Sequence, residues 1–322
     1  MKLRRIYMIL LPLLMLTMAA GLCFGSAPLS LSELAAGEGV ARTILLGIRL
    51  PRVLAGLLAG IGLSAAGVLL QTVTANDLAS PNIIGINSGA GLAVILMLTF
   101  APKAGAFLPL GAFCGAFGAA LVILAAGSRL GSSRSGILLI GIAITTLLNA
   151  AISFLSLLDE GILAQYNHFT VGSLRSIHLD ELLIPGIIIF AGFGAALALS
   201  GSLSVLSLGD AAASALGIRV KGLRIAAMAC AAACAAAVVS FAGLLGFVGL
   251  VVPHIARTLA GEKPARVLPA AALTGGILVI LADLLGRTLF APSELPVGIL
   301  MSLIGAPYFL ILLIRRKHHA GN

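Results

Sequence analysis

Residues 49–92 read RLPRVLAGLLAGIGLSAAGVLLQTVTANDLASPNIIGINSGAGL. Two arginines flank a proline, and a Gly/Ala-rich apolar run then extends to Gln71. The run breaks at Asn76-Asp77-Leu78, and apolar sequence resumes through Pro81, Gly85 and Gly89. A soluble amphipathic helix keeps a charged face along its length, yet no charged residue stands between Arg52 and Gln71. The stretch reads as a membrane span with a charged mouth, an irregular turn and a return.

The rest of the chain agrees. Hydrophobic residues make up 60% of it, charged residues 10%, and the mean hydropathy is +1.16. No soluble surface of ordinary polarity covers such a chain. A helical crossing needs roughly 20 apolar residues, so there is room for about ten. Spans are expected near 6–25, 53–73, 84–100, 107–126, 137–157, 182–200, 222–241, 245–259, 268–290 and 296–314. Nothing is left over for a soluble domain, so residues 1–322 form one transmembrane domain. The 39 glycines suit helices that approach closely in lipid, with small-xxx-small pairs at Gly56/Gly60, Gly85/Gly89 and Gly111/Gly115.

A net charge of +9 is a topology signal here and calls for no nucleic acid. With the N-terminus inside, 14 of the 20 Lys and Arg residues fall on the cytoplasmic side and 6 on the other. That satisfies the positive-inside bias with both termini cytoplasmic, in a multi-pass protein of the plasma (inner) membrane. The N-terminal apolar run exceeds the ~7–15 residues of a signal-peptide core and reads as the first span. All four cysteines lie in apolar stretches. Cys230 and Cys234 share a helix face but have no nearby His or second pair, so they read as small packing residues, and no metal or cofactor is expected.

Between the spans, residues 29–52 read as a polar outer connection with Glu33, Glu38 and Arg42. Residues 127–136 form a short cytoplasmic turn, and 159–181 a solvated outer loop with Tyr166, His168, Arg175 and His178. Residues 202–221 read SLSVLSLGDAAASALGIRVK, on the cytoplasmic side. Asp210 suits the start of a short helix, where a carboxylate meets the positive dipole end, and Gly217 suits its stop. Neighbouring spans need no such helix to join them, so it suggests a surface for another protein. In the last third, Pro253 implies a kink, and Asp283 within a span needs a partner, with Arg287 one turn on.

These stretches together resemble the FecCD/BtuC-like permease family, the membrane subunits of ABC importers for iron–siderophore complexes, haem and cobalamin. The resemblance rests on Arg49 to Gln71, Asn76 to Pro81, Gly85 to Ala90, Leu208 to Gly217, Phe247 to Arg257, Ala282-Asp283, Arg287, Glu294 to Gly298 and Gly305 to Pro307. It covers essentially the whole chain after residue 45. The resemblance implies an all-α polytopic permease of about ten transmembrane helices. It also implies a second permease copy in a homodimer, two ABC ATPase subunits below, an extracytoplasmic substrate-binding protein above and membrane lipid around it.

Residue by residue, Arg49, Arg52 and Arg287 match arginines that meet acidic residues of the binding protein. Complementarity of that kind mainly serves docking orientation and on-rate. Leu208, Gly209, Asp210, Ala211, Leu216 and Gly217 match the segment that sits in a cleft of the ATPase. Gln71 lies on the pathway helix. Asn76, Asp77 and Leu78, with Arg134 and Ser135 of the next cytoplasmic loop, match the region that closes the pathway from the cytoplasm. Two departures stand out. Where the family has Asn-Pro-Leu-Ala this chain has Asn76-Asp77-Leu78-Ala79, so the stiffening proline is absent and a carboxylate stands in its place. The coupling segment carries one acid, Asp210, before Ala211-Ala212-Ala213.

The chain has no G-x-x-x-x-G-K-[ST] run to cradle nucleotide phosphates, so ATP hydrolysis belongs to a partner and the chain is not an enzyme. The expected function is translocation of an iron(III)–siderophore-type complex into the cytoplasm, with haem or cobalamin as alternative cargo on the same scaffold. A secondary transporter needs intramembrane acids in both halves, and only Asp283 qualifies. A membrane-embedded enzyme needs facing catalytic groups, and His254 and Asp283 stand apart.

Overall fold

The computed structural model describes residues 2–26, 39–82, 84–129 and 134–320. These residues form twelve helices: α1 (Lys2–Cys23), α2 (Gly39–Thr74), α3 (Ile86–Phe100), α4 (Leu108–Arg129), α5 (Arg134–Ser156), α6 (Glu160–Val171), α7 (Leu183–Leu206), α8 (Asp210–Ala215), α9 (Val220–Ala242), α10 (Val248–Ala260), α11 (Pro264–Thr288) and α12 (Val297–Ala320). Seven of them, α1, α2, α4, α5, α7, α9 and α11, are long and apolar enough to cross a membrane. Helices α3, α10 and α12 carry shorter apolar stretches. The protein is a multi-pass membrane protein, and large apolar side chains such as Leu139, Leu147, Phe154, Ile184 and Phe190 face outward, as lipid contact requires.

Helix α2 is the hub, flanked by α11, α9, α10 and α7. Glycine explains the closeness of three of the crossings. A Cβ at Gly60 would fall on the backbone of Gly275, one at Gly67 on the carbonyl of Gly249, and one at Gly89 on the carbonyl of Gly115. Lipid tails are as apolar as leucine, so helices gain little by hiding apolar surface from them; close backbone approach holds the bundle instead.

Three expectations need correcting. The connection expected at 29–52 is already helical from Gly39, and residues 27–38 lie outside the described ones. Ile44, Leu45, Leu46 and Ile48 are apolar enough to extend α2, which takes a π-type turn over Leu45–Arg49. The loop expected at 159–181 contains α6, capped by Asp159 Oδ1, which accepts from the Gly161 N–H at 2.7 Å. The turn expected at 127–136 is shorter, because α4 continues to Arg129 and α5 starts at Arg134.

Candidate functional site

Functional side chains gather at the two ends of α2. Arg52 and Gln71 are nineteen positions apart on one helix, about 28 Å of rise, close to the roughly 30 Å of a bilayer's hydrocarbon.

At the first end, Arg52 Nε donates to both oxygens of Asp283 at 2.9 Å, and its NH1 donates to Glu294 Oε2 at 2.8 Å. The Ser26 hydroxyl donates to the other Glu294 oxygen at 2.6 Å. Arg287 lies one turn beyond Asp283 on α11, with its Nε 3.5 Å from the same carboxylate. The local Asp283–Arg287 pair expected from spacing is therefore present, but Arg52 is the nearer partner. Arg287 also donates to the Gly21 carbonyl at 2.5 Å, and Arg49 donates to those of Leu22 and Cys23 at 2.9 and 2.6 Å. The last carbonyls of a helix have no partner within it and carry partial negative charge. Two guanidiniums close the end of α1 in this way.

The structure brings Arg49, Arg52 and Arg287 together at one end of the bundle, with all three side chains buried. They are 2%, 6% and 2% exposed. A cation in such a setting must satisfy its donors inside the protein, and these point to Asp283, Glu294 and the α1 carbonyls. The exposed cation here is Arg175, 70% exposed at its side chain and 4.0 Å from Glu294. Together with Arg52, Asn167, His168 and Glu294 it lines an open cleft of about 620 Å³. Burial pushes the Glu294 carboxyl up, but the Ser26 hydroxyl and the Arg52 guanidinium, with help from Arg175, leave it below the usual range.

At the other end the chemistry is softer. The buried Gln71 amide donates to the Gly249 and Leu250 carbonyls of α10 at 3.5 and 3.4 Å. Its Oε1 accepts from Arg257 NH1 at 2.5 Å. Helix α2 stops at Ala75, whose backbone is left-handed with φ 48°. In the turn that follows, the Asn76 side chain accepts from the Leu78 N–H at 2.9 Å and its carbonyl from the Ala79 N–H at 3.0 Å. An Asx turn of this kind supplies constraint that the missing proline does not. Asp77 lies 3.6 Å from Arg257, which is also 3.7 Å from Glu262. The start of α5 at Arg134 is described, but the side chains of Arg134 and Ser135 lie outside the described residues.

Helix α8 sits at this same end. The last turn of α9 meets Ser173, which lines the first cleft and whose N–H donates to the Ala242 carbonyl at 2.9 Å. The start of α9 at Val220, and α8 just before it, are therefore opposite. Gly209 precedes α8 at φ 113°, and Gly217 follows it at φ 81°, conformations that favour glycine. Asp210 pairs with Arg224 of α9 at 2.7 Å. Ala213 is buried, whereas Leu208 and Leu216 are 71% and 67% exposed. Sequence reasoning gave no role to Glu294, Ser26, Arg224 or Arg257. Their signal was weak, because each acts on a partner that only folding brings near.

Helical crossings, an apolar outer surface and charged clusters at the two ends of α2 define an integral membrane protein. The chain belongs to the FecCD transport family, which matches residues 13–315. It is 40% identical over 268 residues to an Fe(3+)-citrate import system permease of Bacillus subtilis, covering 82% of this chain and 80% of that one. It is 38% identical to the ferric enterobactin transport system permease of Escherichia coli, covering 97% and 95%, and 37% identical to a hemin transport system permease of Yersinia pestis, covering 87% and 85%. A solved structure described as an inward-facing metal-chelate type ABC transporter superposes with a TM-score of 0.88 at 30% identity, covering 97% of this chain and 99% of that one.

Proposed function

We propose that this chain is the membrane permease of an ABC importer that carries an iron(III)–siderophore-type complex into the cytoplasm. In this reading the seven long helices and the three shorter apolar ones make ten crossings, both termini are cytoplasmic, and two copies enclose the pathway. The observation that carries it is α8 in a chain of this family. A six-residue helix held between two glycines in the left-handed half of φ space, with Leu208 and Leu216 turned outward, is a surface made to be covered. Leu208, Gly209, Asp210, Ala211, Leu216 and Gly217 form the seat for the ATPase. Its movement on binding ATP reaches the spans through α9 and the Asp210–Arg224 pair.

A binding protein approaches the opposite end. Arg175 is the cation it meets first, Arg52 lies behind it in the cleft, and Arg49 and Arg287 hold the floor. The Asn76-Asp77-Leu78 turn, with Arg134 and Ser135, lies at the cytoplasmic closure. Haem is the second reading of the cargo, favoured by the hemin permease among the relatives. The test is uptake of ferric citrate, ferric hydroxamate and hemin in cells lacking the cognate ATPase. Abolished uptake is the expected result; uptake that persists removes the importer reading.

A further inference from the structure

Pro253 sits inside α10 and has no N–H. The carbonyl four residues earlier, that of Gly249, therefore receives no bond from its own helical ladder. Within a membrane no water replaces it, and an unmet backbone group there is costly. The Gln71 amide of α2 reaches that carbonyl and its neighbour, at 3.5 and 3.4 Å. Gln71 Oε1 accepts from Arg257, one turn beyond Pro253, at 2.5 Å. The partners fix the amide's orientation, because carbonyls need its donor and a guanidinium its acceptor. One side chain thus spans the break in α10 from both sides.

Two further features make this specific. The reach depends on contact between the helices, since a Cβ at Gly67 would fall on the Gly249 carbonyl and one at Gly249 would come 3.0 Å from the Leu63 carbonyl. Below the amide, Arg257 faces Asp77 at 3.6 Å, in the turn that ends α2. The gap in α10, the body of α2 and the Asn76–Ala79 turn are joined through one amide and one cation.

We propose that Gln71 and Arg257 are positioning residues that bridge the proline gap of α10 and tie its movement to the turn after α2. The bridge is a property of the fold. Its consequence for transport rests on the importer reading above. Helix α10 cannot slide along α2 without exchanging the partners of Gln71, so the two elements move together when the cytoplasmic end opens.

The bridge is tested first without transport, on purified permease in detergent, by thermal unfolding of Gln71→Leu, Pro253→Ala and the double variant. Alanine at 253 gives Gly249 its own donor, so Gln71→Leu should lower the melting temperature markedly in the parent and much less in the Pro253→Ala background. If Gln71→Leu does not fold at all, recovery of folded protein in the double variant is the expected result. Additive losses, or no recovery, overturn the bridge. The second arm uses proteoliposomes with the ATPase and binding protein, reading radio-iron-labelled ferric citrate, ferric hydroxamate and labelled hemin taken up per ATP hydrolysed. Gln71→Glu keeps the acceptor for Arg257 and loses the donor, and Arg257→Met removes the cation. Each should cut uptake per ATP roughly tenfold, the scale of one lost buried bond, with ATPase attachment unchanged. Unaltered uptake per ATP overturns the positioning role, whereas absence of ATP-driven uptake in the parent overturns the importer reading and leaves the melting result standing.

Discussion

The two ends of α2 solve one problem with different chemistry. At the Arg52 end full charges are buried together: three guanidiniums and Asp283 are at most 6% exposed, beside Glu294 at 12% exposure of its side chain. At the Gln71 end the buried group is a neutral amide, the cation is 12% exposed and its carboxylate, Asp77, 33%. Ion pairs taken out of water are rigid in use, because separating them leaves charge in low dielectric. The Gln71 amide instead makes two long bonds to carbonyls and one short bond to Arg257, each involving a neutral group whose loss leaves no buried charge unpaired on the amide. One end is locked by full charges, the other joined through a neutral amide and a partly exposed ion pair.

The strongest way to break this comparison is Asp283→Ala. It leaves Arg52 and Arg287 without their shared buried carboxylate, a loss of about 3–5 kcal/mol, so folded protein recovered from the membrane should fall steeply by size-exclusion chromatography. An undisturbed yield would mean the end is wetter than its burial implies. Next comes Gly67→Val, which forces α2 and α10 apart at Gly249. Overpacking of this kind costs about 1–3 kcal/mol, to be read as a lower melting temperature.

A smaller effect is expected from acid. The Glu294 carboxyl titrates below its unfolded value, so its stabilisation is fully present above the ordinary glutamate pKa of about 4.3 and is lost as pH falls through the lowered folded value. Unfolding scans from neutral pH into that window should show a decline that Glu294→Gln reduces. The smallest is Asp210→Ala. Asp210 is 46% exposed at its side chain, so solvent screening keeps the loss of its pair below ~1 kcal/mol. The melting temperature should barely move, while uptake per ATP falls if α8 is the ATPase seat.

Much of the fold was legible in the sequence, because lipid demands long apolar helices and the chain provides them. The Asp283–Arg287 pair was legible too, being one turn apart on a helix. Its nearer partner was not, since Arg52 is 231 positions away and nothing local marks it. Gln71 stood out as a polar residue in an apolar run, but its task depends on Pro253, which reaches it only through the Gly67–Gly249 contact. The start of α2 was misread because Glu38 and Arg42 suggested a loop, while Ile44, Leu45, Leu46 and Ile48 carried the stronger signal. The burial of Arg49, Arg52 and Arg287 was not legible, because sequence counts charges but does not show which side they face.

The closed end of α1 has a consequence for synthesis. The guanidinium that donates to the Gly21 carbonyl, Arg287, lies 266 positions later in the chain. Asp283 and Glu294 arrive equally late. Until then Arg52 lacks both carboxylates it pairs with, and the carbonyl end of α1 is half closed, by Arg49 alone. The charges of this end are therefore matched only once residues 283–294 have joined the bundle.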